Sequence, residues 1–131
     1  MYTVLVCGGR DYDDHVKVTE TLLTLCDKKG LWENAEHSHY AESKATGLRL
    51  ITGEARGADT LAKDWGHWWG PQYQGYPANW KRDGMRAGPI RNQLMLDSEK
   101  IDLVIAFPGG SGTADMIRRA EKAGIEVRIV K

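Results

Sequence analysis

Two short segments of the chain, residues 2–7 and 102–107, are almost entirely apolar, and each runs directly into a glycine-rich stretch. Apolar runs of this length without polar alternation are typical of strands that are buried on both faces, and such strands occur in parallel sheets covered by helices. Parallel neighbours cannot be joined by a tight turn, so the chain between them must cross over, usually through a helix. The two segments therefore predict an α/β fold.

The remaining segments extend this prediction to a complete domain. Further strands are expected at residues 48–52, 72–76 and 125–130, and helices after Asp13 or Asp14, at 58–69, from Gly88-Pro89 onward and at 113–123. The alternation predicts one domain over residues 1–131: a Rossmann-like, doubly wound, mostly parallel five-stranded sheet in the order 3-2-1-4-5, with helices on both faces. Residues 30–47 fit no period and are expected to form an exposed insertion loop.

Composition limits the classes of partner. Eighteen Lys and Arg residues balance 18 Asp and Glu residues, which argues against a dedicated nucleic-acid or membrane-surface binder. Cys7 and Cys26 lack metal-ligand or redox spacing, so we expect both to be reduced, with Cys7 buried, in a cytoplasmic protein. The longest apolar runs have about strand length, so we expect no signal peptide or membrane span. No cofactor is identified, and His37 and His39 lack a third ligand, so no metal site is predicted.

Glycine-rich loops follow the first and fourth predicted strands, at residues 8–11 (GGRD) and 108–113 (PGGSGT). In the order 3-2-1-4-5 these strands are neighbours at the topological switch point, where ligands bind outside the carboxyl ends of the strands. Glycine lets backbone N–H groups close around an anion at a helix N-terminus, so a phosphate-bearing ligand is expected there, although one such loop alone is also compatible with a tight turn. GxGxxG and GxxxxGK[ST] are absent, which argues against the usual dinucleotide binding and excludes P-loop NTPases.

Cationic and aromatic residues lie near the same edge of the predicted sheet. The cationic candidates are Arg10, Arg56, Arg82, Arg86 and Arg91. Arg91 is expected in the first turn of its helix, where a cation opposes the dipole by roughly 0.3–1 kcal/mol. This suggests an anionic partner, with a solvated arginine or a salt bridge as the alternative. Trp80 either stacks on a base or covers the core.

The candidate catalytic groups are four carboxylates, Asp11, Glu54, Asp59 and Asp115, together with Arg91. Asp59 and Asp115 are expected in the first turns of their helices, where they either cap N–H groups or accept hydrogen bonds from ribose hydroxyls. Glu54 follows the second strand, where Rossmann domains often place a ribose-binding acid. No Ser-His-Asp or Cys-His arrangement can be built from spacing, so the catalytic residues stay unassigned.

Four motifs in the same order resemble the SLOG superfamily of Rossmann-like domains, and most closely its YspA-type, DUF2493 branch. They are VCGGRD at 6–11, TGEARGAD at 52–59, AGPIRN at 87–92 and AFPGGSGTAD at 106–115. The resemblance implies a nucleotide or nucleotide-derived ligand at the switch point, in sensing or nucleotide metabolism, and a homo-oligomer. Together with the loop argument, it makes these the expected ligand-binding residues: Gly8, Gly9, Arg10, Gly53, Arg56, Asp59, Arg91, Asn92, Pro108, Gly109, Gly110, Ser111, Gly112 and Thr113.

Two other activities remain open through the same resemblance. The related LOG phosphoribohydrolases cleave the N-glycosidic bond of nucleoside 5′-monophosphates and carry the motif PGGxGTxxE. In this chain Met116 stands where that motif has glutamate, and the nearby Asp115 is rotated by about 100° on a helix, which argues against the same chemistry, while Arg91 is retained. Single-stranded DNA binding of the DprA type is the other alternative, and the balanced charge weighs against it.

Overall fold

The computed structural model describes residues 1–33 and 43–131. The strands are β1 (Tyr2–Cys7), β2 (Leu48–Thr52), β3 (Gln72–Gly75), β4 (Leu103–Ala106) and β5 (Glu126–Ile129). The helices are α1 (His15–Lys29), α2 (Ala58–Trp69), α3 (Trp80–Asp83), α4 (Ala87–Ser98) and α5 (Ser111–Lys122), with a 3-10 turn at Gly84–Arg86. All neighbouring strands pair in parallel in the order β3-β2-β1-β4-β5, which confirms the predicted Rossmann-like sheet.

Helices cover both faces of this sheet, which explains why β1 and β4 are apolar throughout. Successive side chains of a strand point to opposite faces, so each strand supplies both layers of the core. On one face Val4, Val6, Leu103 and Ile105 pack with residues of α1 and α2. On the other face Leu5, Cys7, Val104 and Ala106 pack with residues of α4 and α5. Among the described helices, none is long and apolar enough to cross a membrane.

Capping residues account for the ends of α1. Asp14 is the N-cap, and its side chain accepts a hydrogen bond from the Lys17 N–H at 3.0 Å. Gly30 ends the helix at a φ of +63°, in the left-handed region that favours glycine. The sequence predicts an apolar stripe of Val16, Leu22, Leu23 and Cys26 on α1. Val16 departs from it and is exposed, because it lies on the outer side of the first turn, whereas Leu22 and Cys26 are buried.

Two helix starts and one additional short helix differ from the sequence prediction. Helix α5 begins at Ser111 rather than near Thr113, and α4 begins at Ala87, which places Pro89 at the third helical position. The expected first-turn positions of Asp115 and Arg91 are therefore wrong, because each is the fifth residue of its helix. The four-residue helix α3 lies in a segment predicted to be loop, since it is too short to show a helical period.

The described ends of the predicted insertion at residues 30–47 are only partly exposed, because Gly30, Glu33, Lys44 and Thr46 are exposed and Leu31 and Ala45 are not. Leu31 and Ala45 are buried in the core that α1 and α2 share. The Ala45 N–H donates to the Trp69 carbonyl, and the Gly47 N–H donates to the Leu31 carbonyl. The prediction of exposure is thus wrong for Leu31 and Ala45, which belong to the core. Residues 34–42, which include His37 and His39, lie outside the described residues.

Candidate functional site

The loops after β1 and β4 touch each other at the carboxyl edge of the sheet. The Gly9 N–H donates to the Pro108 carbonyl at 2.8 Å, and the Phe107 N–H donates to the Cys7 carbonyl at 2.9 Å. Strands β1 and β4 are hydrogen-bonded neighbours. The helix that follows β1 packs on one face of the sheet, and the helix that follows β4 packs on the other. The two glycine loops therefore lie on either side of the switch point, and we call the space that they border the crevice.

Close backbone approach explains why glycine stands at two of these positions. A Cβ on Gly109 would lie 2.6 Å from the Gly9 nitrogen and 2.9 Å from the Thr113 Cβ. A Cβ on Gly9 would lie 2.9 Å from the Pro108 carbonyl oxygen. Any side chain at these two positions would push the loops apart. Gly110 and Gly112 differ, because a Cβ at either position would meet only open space.

A third loop, residues 53–57 between β2 and α2, packs against the first. The Ala58 N–H donates to the Gly9 carbonyl at 3.2 Å. Gly57 has a φ of +79°, and a Cβ there would overlap the Gly9 carbonyl oxygen. Arg56 is exposed in this loop, as Arg10 and Asp11 are in the β1 loop. The structure thus brings the motifs at residues 8–11, 53–57 and 108–113 together at one edge.

Asp59 holds the third loop in shape from the start of α2. Its Oδ2 accepts hydrogen bonds from the Gly53 and Ala55 N–H groups, each at 3.1 Å, and the residue is only 5% exposed. Burial raises the pKa of the Asp59 carboxyl to about 6, although the two backbone donors and the nearby Arg91 charge oppose that rise. The carboxylate therefore binds the backbone of its own loop rather than facing open solvent.

Arg91 reaches from α4 to the same loop and lies near Arg10. Its guanidinium donates to the Gly53 carbonyl and, at 3.1 Å, to the Asn92 Oδ1. Burial lowers the pKa of Arg91 and the positive charge of Arg10 lowers it further, against the opposing effect of Asp59. Within the described residues, neither arginine has a carboxylate oxygen within 4 Å. The two guanidinium groups thus influence each other electrostatically, and neither has an ion-pair partner within 4 Å among the described residues.

The two helices that begin at the crevice have no side-chain cap. Gly110 is the N-cap of α5 and Gly57 the N-cap of α2, and neither end has a side-chain hydrogen bond of the kind that Asp14 supplies to α1. The N–H groups of a first helical turn have no partner within the helix. The crevice therefore receives positive potential from two helix ends as well as from two arginines.

Asn92 and Asp115 connect α4 to α5 instead of facing the crevice. The Asn92 Nδ2 donates to the Gly112 carbonyl at 3.2 Å and to the Asp115 Oδ2 at 3.0 Å. Asp115 also accepts from Arg118 at 3.2 Å and from Arg119 at 2.8 Å. Its pKa is raised by burial, but the hydrogen bonds from Asn92 and Arg119 outweigh this, and the net shift is downward. Asn92 thereby positions the first turn of α5.

Glu54 is drawn toward β3 in a backbone conformation that is uncommon for its type. Its φ of +58° lies in the left-handed region. Its carboxylate accepts from the Tyr73 hydroxyl at 2.6 Å and from the Lys63 Nζ at 2.9 Å. Burial acts to raise the pKa of Glu54, but these two hydrogen bonds lower it overall. The sequence analysis missed Tyr73 and Lys63, although an aromatic residue in a short strand beside β2 was a usable signal.

Trp80 does not cover the core, because it is 48% exposed. The Arg10 guanidinium carbon lies 5.0 Å from the centroid of its ring.

Met116, in contrast, is completely buried in the cluster that contains Cys7 and Ala106, as is expected for an apolar residue at that position. Among residues 1–33 and 43–131 no group of three or more His, Cys, Asp or Glu side chains is arranged to hold a metal ion.

Comparisons with known proteins agree with this architecture. The chain is 33% identical over 136 residues to the Gene 61 protein of Mycobacterium phage D29, and the match covers 97% of this chain and 94% of that protein. The C-terminal domain of a hydrogenase from Pyrococcus furiosus has the same fold, with a TM-score of 0.50 at 13% identity over 99% of this chain and 91% of the other. Residues 2–82 match the family described as "YAcAr: YspA, cpYpsA-related SLOG family". The chain therefore belongs to this YspA and cpYpsA-related SLOG family.

Proposed function

We propose that this protein binds a nucleotide or a nucleotide-derived phosphate ligand in the crevice, as a sensor or in nucleotide metabolism. The observation that carries the proposal is that Arg10 in the β1 loop and Arg91 against the 53–57 loop have no carboxylate oxygen within 4 Å among the described residues, while the charge of Arg10 acts to lower the pKa of Arg91. Two like charges repel, and burial of one of them adds a desolvation cost. A phosphate between them would offset both effects through charge-assisted, bidentate hydrogen bonds.

The backbone beside these arginines suits the same anion. The first turn of α5 begins at Gly110 with no side-chain cap, and a helix N-terminus of this kind favours phosphate. The contact between Gly9 and Pro108 places that helix end next to the β1 loop. Gly110 and Gly112 leave open space where side chains would otherwise stand. A phosphate can thus approach the N–H groups and the Arg10 side chain from the same side.

Among the carboxylate candidates, Asp11 is best suited to contact a ribose. It is exposed in the β1 loop directly after Arg10. Asp115 and Glu54 use their carboxylates in contacts with α4, α5, β3 and α2, and Asp59 supports its own loop. We therefore assign the acceptor for ribose hydroxyls to Asp11 rather than to Asp59 or Asp115.

A second groove, between α4 and α5, is less suited to phosphate. It is lined by Gln93, Asp115, Arg118, Arg119, Lys122 and Ala123. Its two arginines form ion pairs with Asp115, and Arg119 also donates to Gln93. An anion there would have to displace an existing carboxylate. The crevice requires no such exchange, because its arginines have no carboxylate within 4 Å in the described part of the chain.

The experiment that tests the proposal compares Gly110→Asp with Gly110→Asn. Gly110 has a φ of −102° and open space around its Cβ, so both side chains fit, and Asp and Asn are equally good N-caps. They differ only in charge. Binding of AMP, GMP, CMP, UMP and ribose 5-phosphate is measured by titration calorimetry, and the fold of each variant by thermal unfolding.

We expect the wild-type protein and Gly110→Asn to bind at least one of these phosphates. Two unit charges 4 Å apart repel by about 4 kcal/mol at an effective dielectric constant of 20, so Gly110→Asp should lose roughly 100-fold or more in affinity. Equal affinity of the two variants would show that the first turn of α5 is not the anion site. Absence of binding to all five compounds would refute the proposal.

One observation favours a second candidate, hydrolysis of the N-glycosidic bond in nucleoside 5′-monophosphates. Burial raises the pKa of the Asp59 carboxyl to about 6, and carboxyl groups with raised pKa values serve as general acids in glycoside hydrolysis. Because Oδ2 accepts from the backbone of its own loop, the proton of such an acid would be carried on Oδ1. If Asp59 protonates the leaving base, ribose 5-phosphate and free base should accumulate from at least one monophosphate. Asp59→Asn should abolish that release. Binding without any release over hours would leave the protein as a binding protein only.

A further inference from the structure

Trp80 extends the crevice with an aromatic surface that contacts two of its walls. It begins the short helix α3, and its ring atom Cη2 lies 3.6 Å from the position of a Cβ on Gly88, near the start of α4. Arg10 lies in the β1 loop, and its guanidinium carbon is 5.0 Å from the centroid of the Trp80 ring. The ring therefore joins the loop after β1 to the first turn of α4, which carries Arg91 one turn later.

The contact between Arg10 and Trp80 is exposed to solvent at both residues and contributes little energy. Arg10 is exposed and has no ion pair among the described residues, and Trp80 is 48% exposed. A cation–π contact at an exposed position contributes little, whereas a charge-assisted bond from arginine to phosphate and a stack of a base on tryptophan are each stronger. A ligand that offers both a phosphate and an aromatic base can thus replace one weak contact with two stronger ones.

From this exchange we propose that Trp80 is the base-binding residue of the crevice and that Arg10 and Trp80 together select ligands that carry an aromatic base as well as a phosphate. The inference rests on the proposed function. When such a ligand binds, Arg10 moves from the ring to the phosphate, and the base takes the place of Arg10 on the ring. A phosphate without a base draws Arg10 away and leaves the ring uncovered, so it loses a contact and gains no stack.

This exchange predicts opposite effects of Trp80→Ala on two classes of ligand. A nucleoside monophosphate should bind more weakly, and its affinity relative to ribose 5-phosphate should fall roughly 5- to 150-fold, which is the usual loss when one base–aromatic stack is removed. Ribose 5-phosphate should bind about 2- to 5-fold more tightly, because Arg10 no longer has to leave the ring. A residue that only supports the loop would weaken both ligands alike.

The test measures the dissociation constants of AMP, GMP and ribose 5-phosphate by calorimetry for the wild-type protein, Trp80→Ala and Trp80→Phe. Trp80→Phe keeps an aromatic face and should retain most of the nucleotide affinity. The matched control is Trp68→Ala, since Trp68 is 77% exposed in the last turn of α2, away from the crevice, and should change neither affinity. Thermal unfolding midpoints check that each variant folds.

The outcomes separate the two proposals. If the wild-type protein binds none of the phosphates, the proposed function fails and Trp80 has no base to bind. If it binds them and Trp80→Ala leaves the affinity for nucleotide relative to that for ribose 5-phosphate unchanged, the crevice is an anion site and the role of Trp80 is refuted. If Trp80→Ala lowers this relative affinity for nucleotide and Trp80→Phe restores it, the exchange is supported.

Discussion

Asp59→Asn should make the protein more stable near neutral pH and have less effect in acid. The asparagine side chain has an oxygen in place of the Oδ2 that accepts from the Gly53 and Ala55 N–H groups, so the loop keeps its acceptor. What the substitution removes is a negative charge on a residue that is only 5% exposed. Burial of that charge raises the pKa of Asp59 from 3.8 to about 6.

The sign and size follow from proton linkage. Between pH 3.8 and 6 the folded protein holds the Asp59 proton more tightly than the unfolded chain, so the free energy of unfolding falls as pH rises. The stabilisation is complete below the unfolded pKa and is lost once pH passes the folded value. Two pKa units at 1.36 kcal/mol each amount to about 3 kcal/mol. Asp59→Asn has no such proton, so its stability relative to wild type should rise by about 2.4 kcal/mol from pH 4 to pH 7.

Urea unfolding of both proteins at half-unit pH steps from 4 to 7 measures this difference directly. Subtraction of the two stability curves cancels the pH-dependent contribution of carboxylates with lowered pKa values, such as Glu99, which has the opposite sign. Asp64→Asn, at an exposed position of the same helix, is the control for removal of a carboxylate. A difference between wild type and Asp59→Asn that stays constant with pH, or that falls as pH rises, would refute the assignment of a buried charge.

Two further variants test how the loops are held. Gly109→Ala should destabilise the protein by about 1–3 kcal/mol, because its Cβ would lie 2.6 Å from the Gly9 nitrogen; Gly112→Ala, where the Cβ meets open space, is the control in the same urea assay, and equal stability of the two would contradict the close contact. Asn92→Leu should cost about 1–3 kcal/mol, since it leaves the Asp115 carboxylate and the Gly112 carbonyl without the Asn92 donor. An unchanged stability with weaker ligand binding would instead place Asn92 on the ligand.

The sequence was sufficient to predict the sheet, because burial on both faces leaves a direct signal in it. Strands β1 and β2 and helix α2 have the predicted bounds, and the strand order is as expected. The start of α5 was predicted too late, because Gly112 has a poor helix propensity. In the structure the chain becomes helical from Ser111, and the Ala114 N–H donates to the Gly110 carbonyl. Tertiary contact with Asn92 supports that turn, and such contacts between distant residues have no local pattern.

The candidate site was only partly predictable for the same reason. The meeting of the loops after β1 and β4 follows from topology, so residues far apart in the chain could be placed together. The partners of individual carboxylates do not follow from topology. Asp115 faces Asn92 and Arg119, 23 residues before it and four after it, and Glu54 faces Tyr73 on β3. The contact with Arg119 is an i,i+4 pair within α5 and follows from the helical period. The contacts with Asn92 and Tyr73 join separate elements, whose relative orientation single-sequence periodicity does not supply.

Met116 is a buried apolar residue beneath the ends of β1 and β4, at the position where the motif of the related hydrolases has glutamate. It packs in one cluster with Cys7 and Ala106, the last residues of β1 and β4. The charge of Arg91 opposes the rise in the pKa of the Cys7 thiol that burial causes. A glutamate at position 116, as the resemblance to the hydrolases implies, would place a carboxylate in this buried apolar cluster at a desolvation cost. Methionine avoids that cost and removes the carboxylate of the hydrolase motif, so hydrolysis by this chain would need another carboxylate, for which Asp59 is the candidate proposed above.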